Sequence, residues 1–377
     1  MELERVRAEL AGLGRPHTAV DVARALGRLG EVVSDASISQ TLQQLRREST
    51  GAGPLDPLLS IPGVTDVLVN GPDRVYIDRG AGLELTDVTF VDDADVRRLA
   101  LRLAAGVGRR LDDGSPFVDA RLADGTRVHA VLGTLADPGT CLSLRIPGRR
   151  RFCLDAWVAN GSLTAAGAAF LRRMIEAKLA FLISGGTGSG KTTLLAALLA
   201  LVPADERILV VEDSRELDPD HPHVVRLEGR PPNAEGAGVV TLTDLVRQAL
   251  RMRPDRVVLG EVRGAELCDL LAALNTGHEG GCGTLHANSA GDVPARLEAL
   301  AALGGMGREA LHAQVAAALN VVVHVRREGG RRRVAEVNAF AVGGGGTVTT
   351  SPALLFRSDG TVERGPAAPA LERMLAA

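Results

Sequence analysis

One glycine-rich loop constrains the fold of this chain more than any other segment. The loop GGTGSGKT, residues 185–192, follows the apolar run AFLIS and precedes the apolar run TLLAALLAL. This order of strand, glycine loop and helix is typical of a phosphate-binding loop, where backbone N–H groups surround phosphate oxygens and the helix N-terminus favours negative charge. The sequence therefore predicts an enzyme that binds and hydrolyses a nucleoside triphosphate, with ATP as the expected nucleotide.

The residue types in the loop match the needs of phosphate chemistry. Lys191 would bridge the β- and γ-phosphates, and the hydroxyl of Thr192 would supply a ligand to Mg²⁺. Only Lys178 and Lys191 are lysines among 43 basic residues, which makes a chance match to the whole pattern infrequent. The predicted nucleotide-binding residues are Gly185, Gly186, Thr187, Gly188, Ser189, Gly190, Lys191, Thr192 and Thr193.

Apolar β-branched segments alternate with helical segments in the C-terminal half of the chain. The strand candidates read FLISG, RILVVED, VVRLE, RVVLGE and GTLHA, with helical periodicity between them. Strands separated by helices favour a parallel sheet with helical crossovers. We expect an α/β fold with a RecA-like P-loop NTPase domain over residues 161–342, followed by a C-terminal tail, residues 343–377, whose structure the sequence does not predict.

The N-terminal part has a different pattern. Residues 1–50 carry apolar positions at helical spacing and predict a helical segment. Residues 54–146 alternate short strand candidates with turns around one helix, which predicts a smaller α+β domain. Residues 147–160 show little periodicity and are expected to form a linker to the NTPase domain.

Two glutamates end apolar strand candidates after the loop. Glu212 ends RILVVE and Glu261 ends RVVLGE, so both belong to the carboxyl edge of a parallel sheet, where ligands bind in such folds. A Walker B strand usually ends in Asp or Asp-Glu, and Gly260 before Glu261 departs from that form. Either glutamate could orient water as the catalytic base, and Glu261 is also a candidate Mg²⁺ ligand beside Thr192. A solvated strand end is the simpler alternative for each.

Two histidines lie in the glycine-rich segment TGHEGGCGTLHANS. A neutral histidine near the γ-phosphate could sense it or orient water, so His278 and His286 are candidate catalytic residues. The spacing of His278, Cys282 and His286 would suit zinc only on a helix, and the glycines and the missing fourth ligand argue against that site. Structural histidines are the remaining alternative.

These elements, in this order, resemble the secretion traffic ATPases of bacterial type II and type IV systems, and among them the CpaF/TadA-like ATPases of tight-adherence (Flp) pili. The resemblance runs from about Pro54 to about Asn338 and includes the segments LEGRPPN and LVRQALRMRPDR. It implies that Glu212 lies in the Asp box, that Glu261 is the Walker B acid, and that the two histidines form the His box.

The resemblance also implies an assembly and a location. It implies a homo-oligomer, a hexameric ring, in which the N-terminal domain packs over the nucleotide and Arg127 and Arg145 reach its phosphates. Guanidinium groups suit that task because they stay charged and make forked contacts with phosphate oxygens. The implied partners are pilus or secretion platform proteins of the inner membrane. We therefore expect a cytoplasmic motor, peripheral to the inner face of the cell membrane, that couples ATP hydrolysis to movement of that platform.

Charge and composition bear on the alternatives. A nucleic-acid translocase, RecA-like or a conjugal DNA-transfer motor, would share the phosphate loop. The formal charge of −3 and the few aromatic residues (seven Phe, one Trp and one Tyr) offer little for binding phosphate backbones or stacking bases, so no stable nucleic-acid partner is expected. A metabolic P-loop kinase would leave the separate N-terminal domain unexplained. The basic run RREGGRRR, residues 326–333, predicts either a solvated turn or contact with an anionic lipid or an acidic platform protein.

Overall fold

The computed structural model describes residues 2–11, 18–31, 33, 34, 37–39, 41, 51–80, 82–146, 153–230, 232, 237–328, 330–357 and 359–376. The chain divides into two compact units, Met1–Gly148 and Arg149–Ala377. Parts of two predicted segments lie outside the described residues, namely 12–17 and 42–50 of the helical segment and 147–152 of the linker. Within the described ranges no helix combines the length and the apolar character that crossing a membrane requires.

The N-terminal unit contains one antiparallel sheet. Its strands are β1 (Asp66–Asn70), β2 (Val75–Asp78), β3 (Leu83–Leu85), β4 (Phe117–Arg121), β5 (Arg127–Val131) and β6 (Cys141–Arg145). Its helices include α1 (Glu2–Ala11), α2 (Ala19–Arg28), α3 (Asp56–Leu59) and α4 (Asp93–Ala105). The strands are ordered β3-β2-β1-β6-β5-β4, and each neighbouring pair is antiparallel.

The two faces of this sheet differ in burial. Val128 of β5 and Leu144 of β6 are buried in one core together with Leu99 of α4. Successive side chains of a strand point to opposite faces. Arg127 and Arg145 therefore lie on the face of the sheet that does not contribute to this core.

The two N-terminal helices pack against each other. Val6 of α1 and Val22 and Leu26 of α2 are buried in a small cluster of their own. α2 begins at a capping box in which Thr18 and Asp21 exchange hydrogen bonds between side chain and backbone, an arrangement that satisfies donors at a helix start. The described part of the N-terminal segment thus contains two helices that form a small core of their own.

The C-terminal unit contains a nine-stranded mixed sheet. Its strands are β7 (Phe181–Ser184), β8 (Ile208–Glu212), β9 (Val224–Glu228), β10 (Arg256–Val262), β11 (Cys282–Leu285), β12 (Val321–Glu328), β13 (Arg331–Val342), β14 (Val348–Phe356) and β15 (Val362–Arg364). Its helices are α5 (Leu154–Ala159), α6 (Ala165–Glu176), α7 (Lys191–Leu199), α8 (Leu242–Leu250), α9 (Glu266–Leu274), α10 (Val293–Leu303), α11 (Arg308–Ala318) and α12 (Ala368–Met374).

The order of this sheet is β15-β14-β13-β12-β7-β11-β10-β8-β9. From β12 to β9 the neighbours run parallel, whereas β12 to β15 form antiparallel pairs. β7 and β8 are buried at every position, because core clusters lie on both faces of the sheet. The unit is therefore an α/β structure, with the parallel strands that the sequence pattern predicts.

One segment differs from the expectations, and another has a structure that the sequence did not predict. Residues 154–159 of the predicted linker form α5, and Leu154 and Trp157 are buried in the core of the C-terminal unit. The tail after residue 343 is also ordered, since β14 pairs with β13 and Leu371 of α12 is 2% exposed. The burial of both segments depends on partners elsewhere in the chain, which the periodicity within each segment does not reveal.

Candidate active site

The phosphate loop connects β7 to α7, as its sequence context predicts. Gly185 lies against β12, and a side chain there would collide with the carbonyl oxygen of Val325. Gly188 and Gly190 have φ angles of 70° and 99°, in the left-handed region that favours glycine. The path of the loop therefore depends on glycine at three of its positions.

Lys191 is the first residue of α7, and its side chain folds back over the loop. It is 7% exposed, and its Nζ donates hydrogen bonds to the carbonyl oxygens of Gly185 and Gly186, each at 3.0 Å. Burial lowers the pKa of the Lys191 ammonium, and the nearby carboxylate of Glu261 acts in the opposite direction. The ammonium group is thus held at the loop by two carbonyl oxygens that phosphate oxygens could replace.

The loop offers the donors and the space that a phosphate group needs. Apart from the glycine and its chain neighbours, no heavy atom of the described residues lies within 4 Å of the position that a Cβ would take at Gly186 or Gly188. The N-cap residue of α7 is Gly190, which has no side chain to cap the helix, so the first N–H groups of α7 are available to an anion. The hydroxyl of Ser189 is buried and has no hydrogen-bond partner among the described residues. These features fit a bound phosphate, and Thr192 and Thr193 are half-buried in the first turn of α7.

A buried histidine contacts the end of the strand that leads into the loop. His324 of β12 shares a hydrogen bond of 2.9 Å between its Nδ1 and the Oγ of Ser184, the last residue of β7. Burial, assisted by the charge of Arg326, lowers the pKa of His324 to about 4, so the ring is neutral at physiological pH. This pair fixes the end of β7 to β12. Its sequence signal is a histidine inside the apolar strand VVVHV, and the predicted site does not include it.

Glu212 ends β8 and is buried, with 4% of its surface exposed. Its Oε1 accepts the N–H groups of Glu216 at 3.1 Å and Leu217 at 2.9 Å, whereas Oε2 is buried without a partner among the described residues. Burial raises the pKa of Glu212 to about 7. A Cβ at Gly260 of the neighbouring β10 would lie 2.8 Å from Oε1. The glycine that departs from the usual Walker B ending therefore leaves room for the Glu212 carboxyl group.

Glu261 lies on β10 in more polar surroundings. Its Oε2 accepts a hydrogen bond of 2.9 Å from Arg263, and its Oε1 is 3.3 Å from the Nε2 of His286. Both ring nitrogens of His286 lie 3.4 Å from the Nζ of Lys191. Burial and then the charge of Lys191 lower the pKa of His286, which favours a neutral ring. Lys191, Glu261 and His286 thus meet at one end of the loop.

An open cleft of about 490 Å³ adjoins this end of the loop. Its lining includes Gly186, Thr187, His286, Asn288, Asp292 and Arg296. The last three residues follow β11 and were absent from the predicted site. Their position after a strand that ends beside the loop was the signal that could have identified them.

The structure does not bring His278 to the loop, contrary to the expectation for both histidines. β11 runs parallel to β7, with Cys282 opposite Phe181, so residues before β11 lie at the sheet edge opposite the loop. His278 lies before β11, and its Nδ1 donates to the carbonyl oxygen of Ala273 at 3.2 Å. Among the described residues, no group of three or more His, Cys, Asp or Glu side chains could hold a metal ion.

The two predicted phosphate-contacting arginines lie side by side in the N-terminal unit. Arg127 of β5 is opposite Arg145 of β6, and Arg121 of β4 is opposite Arg127. Directly opposite residues share a face of the sheet, so the three arginines form one row. The sequence did not predict Arg121 as a phosphate-contacting residue, although it pairs with Arg127 across the same hairpin.

Comparison with known proteins identifies the family. The profile described as type II/IV secretion system protein matches residues 48–341. This chain belongs to that family. In this type II/IV secretion system protein, the matched residues contain the phosphate loop, both glutamates and both histidines, and they end before β14. The resemblance to secretion proteins of the type II and type IV systems is thereby confirmed.

Several curated relatives of this secretion system protein cover most of its length. It is 56% identical over 313 residues to the protein named "Putative conjugal transfer protein Rv3659c" of Mycobacterium tuberculosis, a match that covers 81% of this chain and 89% of the relative. It is 34% identical over 313 residues to the type IV secretion system protein PtlH of Bordetella pertussis, which covers 75% of this chain and 92% of PtlH.

Two solved structures share the fold of this secretion system protein. The pilus retraction motor PilT with bound ADP superimposes with a TM-score of 0.54 at 18% identity, covering 83% of this chain and 82% of PilT. The ATPase DotB of Legionella pneumophila superimposes with a TM-score of 0.52 at 19% identity, covering 75% of this chain and 78% of DotB. At these identities the likeness shows the fold alone.

Proposed function

We propose that this chain is the ATP-hydrolysing motor of a bacterial type II/IV secretion or pilus assembly system, with a RecA-like NTPase domain at residues 161–342. The observation that carries the proposal is the meeting of Lys191, Glu261 and His286 at a phosphate loop whose path depends on glycine. The family membership and the 34% identity to a type IV secretion system protein support the cellular role.

In this proposal the loop neutralises charge on the phosphates. Lys191 exchanges the carbonyl oxygens of Gly185 and Gly186 for phosphate oxygens when ATP binds, and the first N–H groups of α7 face the same anion. Mg²⁺, when bound with the nucleotide, would supply further positive charge there, and the hydroxyl of Thr192 would be one of its ligands. The donors are fixed before the reaction, so little reorganisation is needed as charge develops.

Glu261 is the better candidate for orienting the attacking water. Its carboxylate faces His286 and Arg263 beside the cleft. Glu212 is buried and uses Oε1 to accept the N–H groups of Glu216 and Leu217 in the turn after β8. We assign the catalytic base to Glu261, a hydrogen-bonding role to His286 and a supporting role to Glu212.

We further infer that the motor works as a hexameric ring at the cytoplasmic face of the inner membrane, beside platform proteins. Arg127 and Arg145, joined by Arg121 in one row, would contact the phosphates and couple hydrolysis to movement of the N-terminal domain. Light scattering with Mg²⁺ and a non-hydrolysable ATP analogue should give a mass six times the 39.3 kDa of one chain. A single-chain mass under those conditions would contradict the ring.

A lysine substitution tests the enzymatic proposal. Lys191→Ala should reduce steady-state ATP hydrolysis by at least about 100-fold, because it removes the charge held at the loop. Lys178→Ala alters the other lysine, which pairs with Glu206, and should retain activity within about twofold. Circular dichroism would establish that both variants are folded. Equal phosphate release by Lys191→Ala and wild type would disprove the proposal.

A conjugal DNA-transfer motor is the second candidate. The observation that favours it is the 56% identity to a protein whose name refers to conjugal transfer. A motor that acts on DNA itself should show ATPase stimulation by single-stranded DNA that falls steeply with added salt. A motor that acts on membrane platform proteins should show no such stimulation, and this is the result that we expect.

A further inference from the structure

The β12–β13 hairpin brings an arginine to the phosphate loop. The sequence predicted that the basic run at residues 326–333 is either a solvated turn or a contact with an anionic lipid or an acidic platform protein. The Cδ of Arg332 lies 3.0 Å from the position that a Cβ would take at Gly190, and the Cη2 of Trp157 lies 3.3 Å from the same position. The stem of Arg332 therefore lies beside the loop, next to the indole ring.

The guanidinium of Arg332 differs from others on the same hairpin. Arg326 and Arg333 each pair with Glu328 at 3.1 Å, and Arg333 also donates to the carbonyl oxygen of Phe356 at 2.7 Å. Arg332 is exposed, and its guanidinium makes no hydrogen bond or ion pair with any residue that the structure describes. A cation without an internal partner thus lies next to a loop built for an anion.

The two ends of the loop have different neighbours. Gly186 and Thr187 line the cleft with His286, near Glu261, and this end suits the γ-phosphate and the attacking water. Gly190 is at the other end, where the loop enters α7. In phosphate loops the lysine reaches the β- and γ-phosphates while the backbone surrounds the α- and β-phosphates. The Gly190 end therefore corresponds to the α-phosphate side of the nucleotide.

We propose that Arg332 is a nucleotide-binding residue that contacts the α-phosphate side of nucleoside diphosphates and triphosphates alike, with Trp157 as the residue that positions its stem. This inference rests on the proposed nucleotide binding and adds a second cation to the site. A guanidinium makes charge-assisted hydrogen bonds to phosphate oxygens. Because the contact is made to a group that ATP and ADP share, it contributes to binding and not to the hydrolysis step.

The test compares two neighbouring arginines in the full-length chain. Arg332→Met keeps an unbranched apolar stem and removes the charge, and calorimetry should show Mg·ADP and a non-hydrolysable ATP analogue each binding about tenfold more weakly. KM for ATP should rise by a similar factor while kcat stays within about twofold. Arg331→Met is the matched control, since Arg331 is adjacent on β13 and points to the opposite face. Its affinity for both nucleotides should match wild type.

Arg332→Lys tests whether the charge or the packing of Arg332 accounts for the weaker nucleotide binding. It restores a cation and should therefore recover part of the affinity. Unchanged ADP affinity in Arg332→Met would overturn the inference, and so would an equal loss in Arg331→Met. Failure of Arg332→Lys to recover any affinity, with a lowered melting temperature in both Arg332 variants, would show a structural role instead. If wild type itself bound neither nucleotide, the proposed function would fail rather than this inference alone.

Discussion

Glu212 is the last residue of β8, and Glu261 lies within the neighbouring strand β10. The surroundings of the two carboxyl groups nevertheless differ. Glu212 is buried over Gly260 and holds the turn after β8. Glu261 is joined to His286 and Arg263 beside the cleft. At the scale of single residues, burial thus raises the pKa of the Glu212 carboxyl group, whereas the Glu261 carboxylate contacts two polar side chains.

Replacing Glu212 by Gln should remove one part of the pH dependence of stability. The folded pKa of about 7 lies above the ordinary value of 4.5, so the folded state keeps a proton that the unfolded state releases. This stabilisation is complete below pH 4.5 and is lost as the pH rises through 7, an effect of about 3 kcal/mol. Urea titrations at pH 4.5, 6 and 8 would give the free energies of unfolding.

The wild-type free energy of unfolding should fall with pH relative to Glu212→Gln. Glu309→Gln, at an exposed position of α11, is the control and should follow the wild-type profile. Parallel profiles for wild type and Glu212→Gln would contradict the raised pKa.

Glu261→Gln should lower kcat by about 100-fold or more, because it removes the proposed base, while ADP affinity should remain within about threefold. Phosphate release and calorimetry measure the two quantities. Glu279→Gln, which changes an exposed glutamate next to His278, should leave both unchanged. Retained turnover in Glu261→Gln would move the base to another residue.

The sequence predicted that the loop, both glutamates and His286 belong to the carboxyl edge of the sheet, because each lies at or just after the end of an apolar strand. It did not distinguish the glutamates, since Glu212 differs through contacts with Leu217 and with Gly260 on another strand. The prediction that His278 lies near the phosphate loop was wrong for a related reason. The sequence spacing of the two histidines does not reveal that β11 runs between them, so they lie at opposite edges of the sheet.

At the scale of elements, the parallel strands were predictable because each carries its own apolar, β-branched run. The strands β14 and β15 were not predictable, because both contain polar residues. They join the sheet because β14 pairs with β13 and β15 pairs with β14. α12 then packs its buried side chains against the core of the same unit. The tail is thus a structural part of the C-terminal unit.

Leu371→Ala tests the contribution of α12. The side chain is 2% exposed within the core, so its truncation should lower the free energy of unfolding by about 2–4 kcal/mol. Leu303→Ala changes a leucine that is 69% exposed at the end of α10 and should cost less than about 0.5 kcal/mol. Similar values for the two variants in urea titrations would show that α12 contributes little.

At the scale of the whole molecule, the two compact units have separate cores. The buried clusters of the C-terminal unit begin at Leu154, whereas those of the N-terminal unit end at Leu144. Among the residues that the structure describes, no buried residue belongs to the cores of both units. Each unit should therefore fold without the other.

A fragment of residues 153–377 should unfold cooperatively and bind ADP within about threefold of the full chain. Its ATP hydrolysis should be at least about tenfold slower, because it lacks the row of Arg121, Arg127 and Arg145. Calorimetry and phosphate release measure these values, with the Lys191→Ala fragment as the control for binding. Hydrolysis at the full-length rate would disprove a catalytic role for that row.

Trp157 gives the molecule an optical property that follows from its position. It is the single tryptophan of the chain, and its ring lies beside Gly190 at the entrance to α7. Indole emission depends on the polarity and the charges around the ring. Because the chain has one tryptophan, this fluorescence reports on a single place in the molecule. The N-terminal unit contributes no such signal. Binding of a nucleotide at the phosphate loop should therefore change the tryptophan emission of unlabelled protein, and stopped-flow fluorescence would record that change in real time.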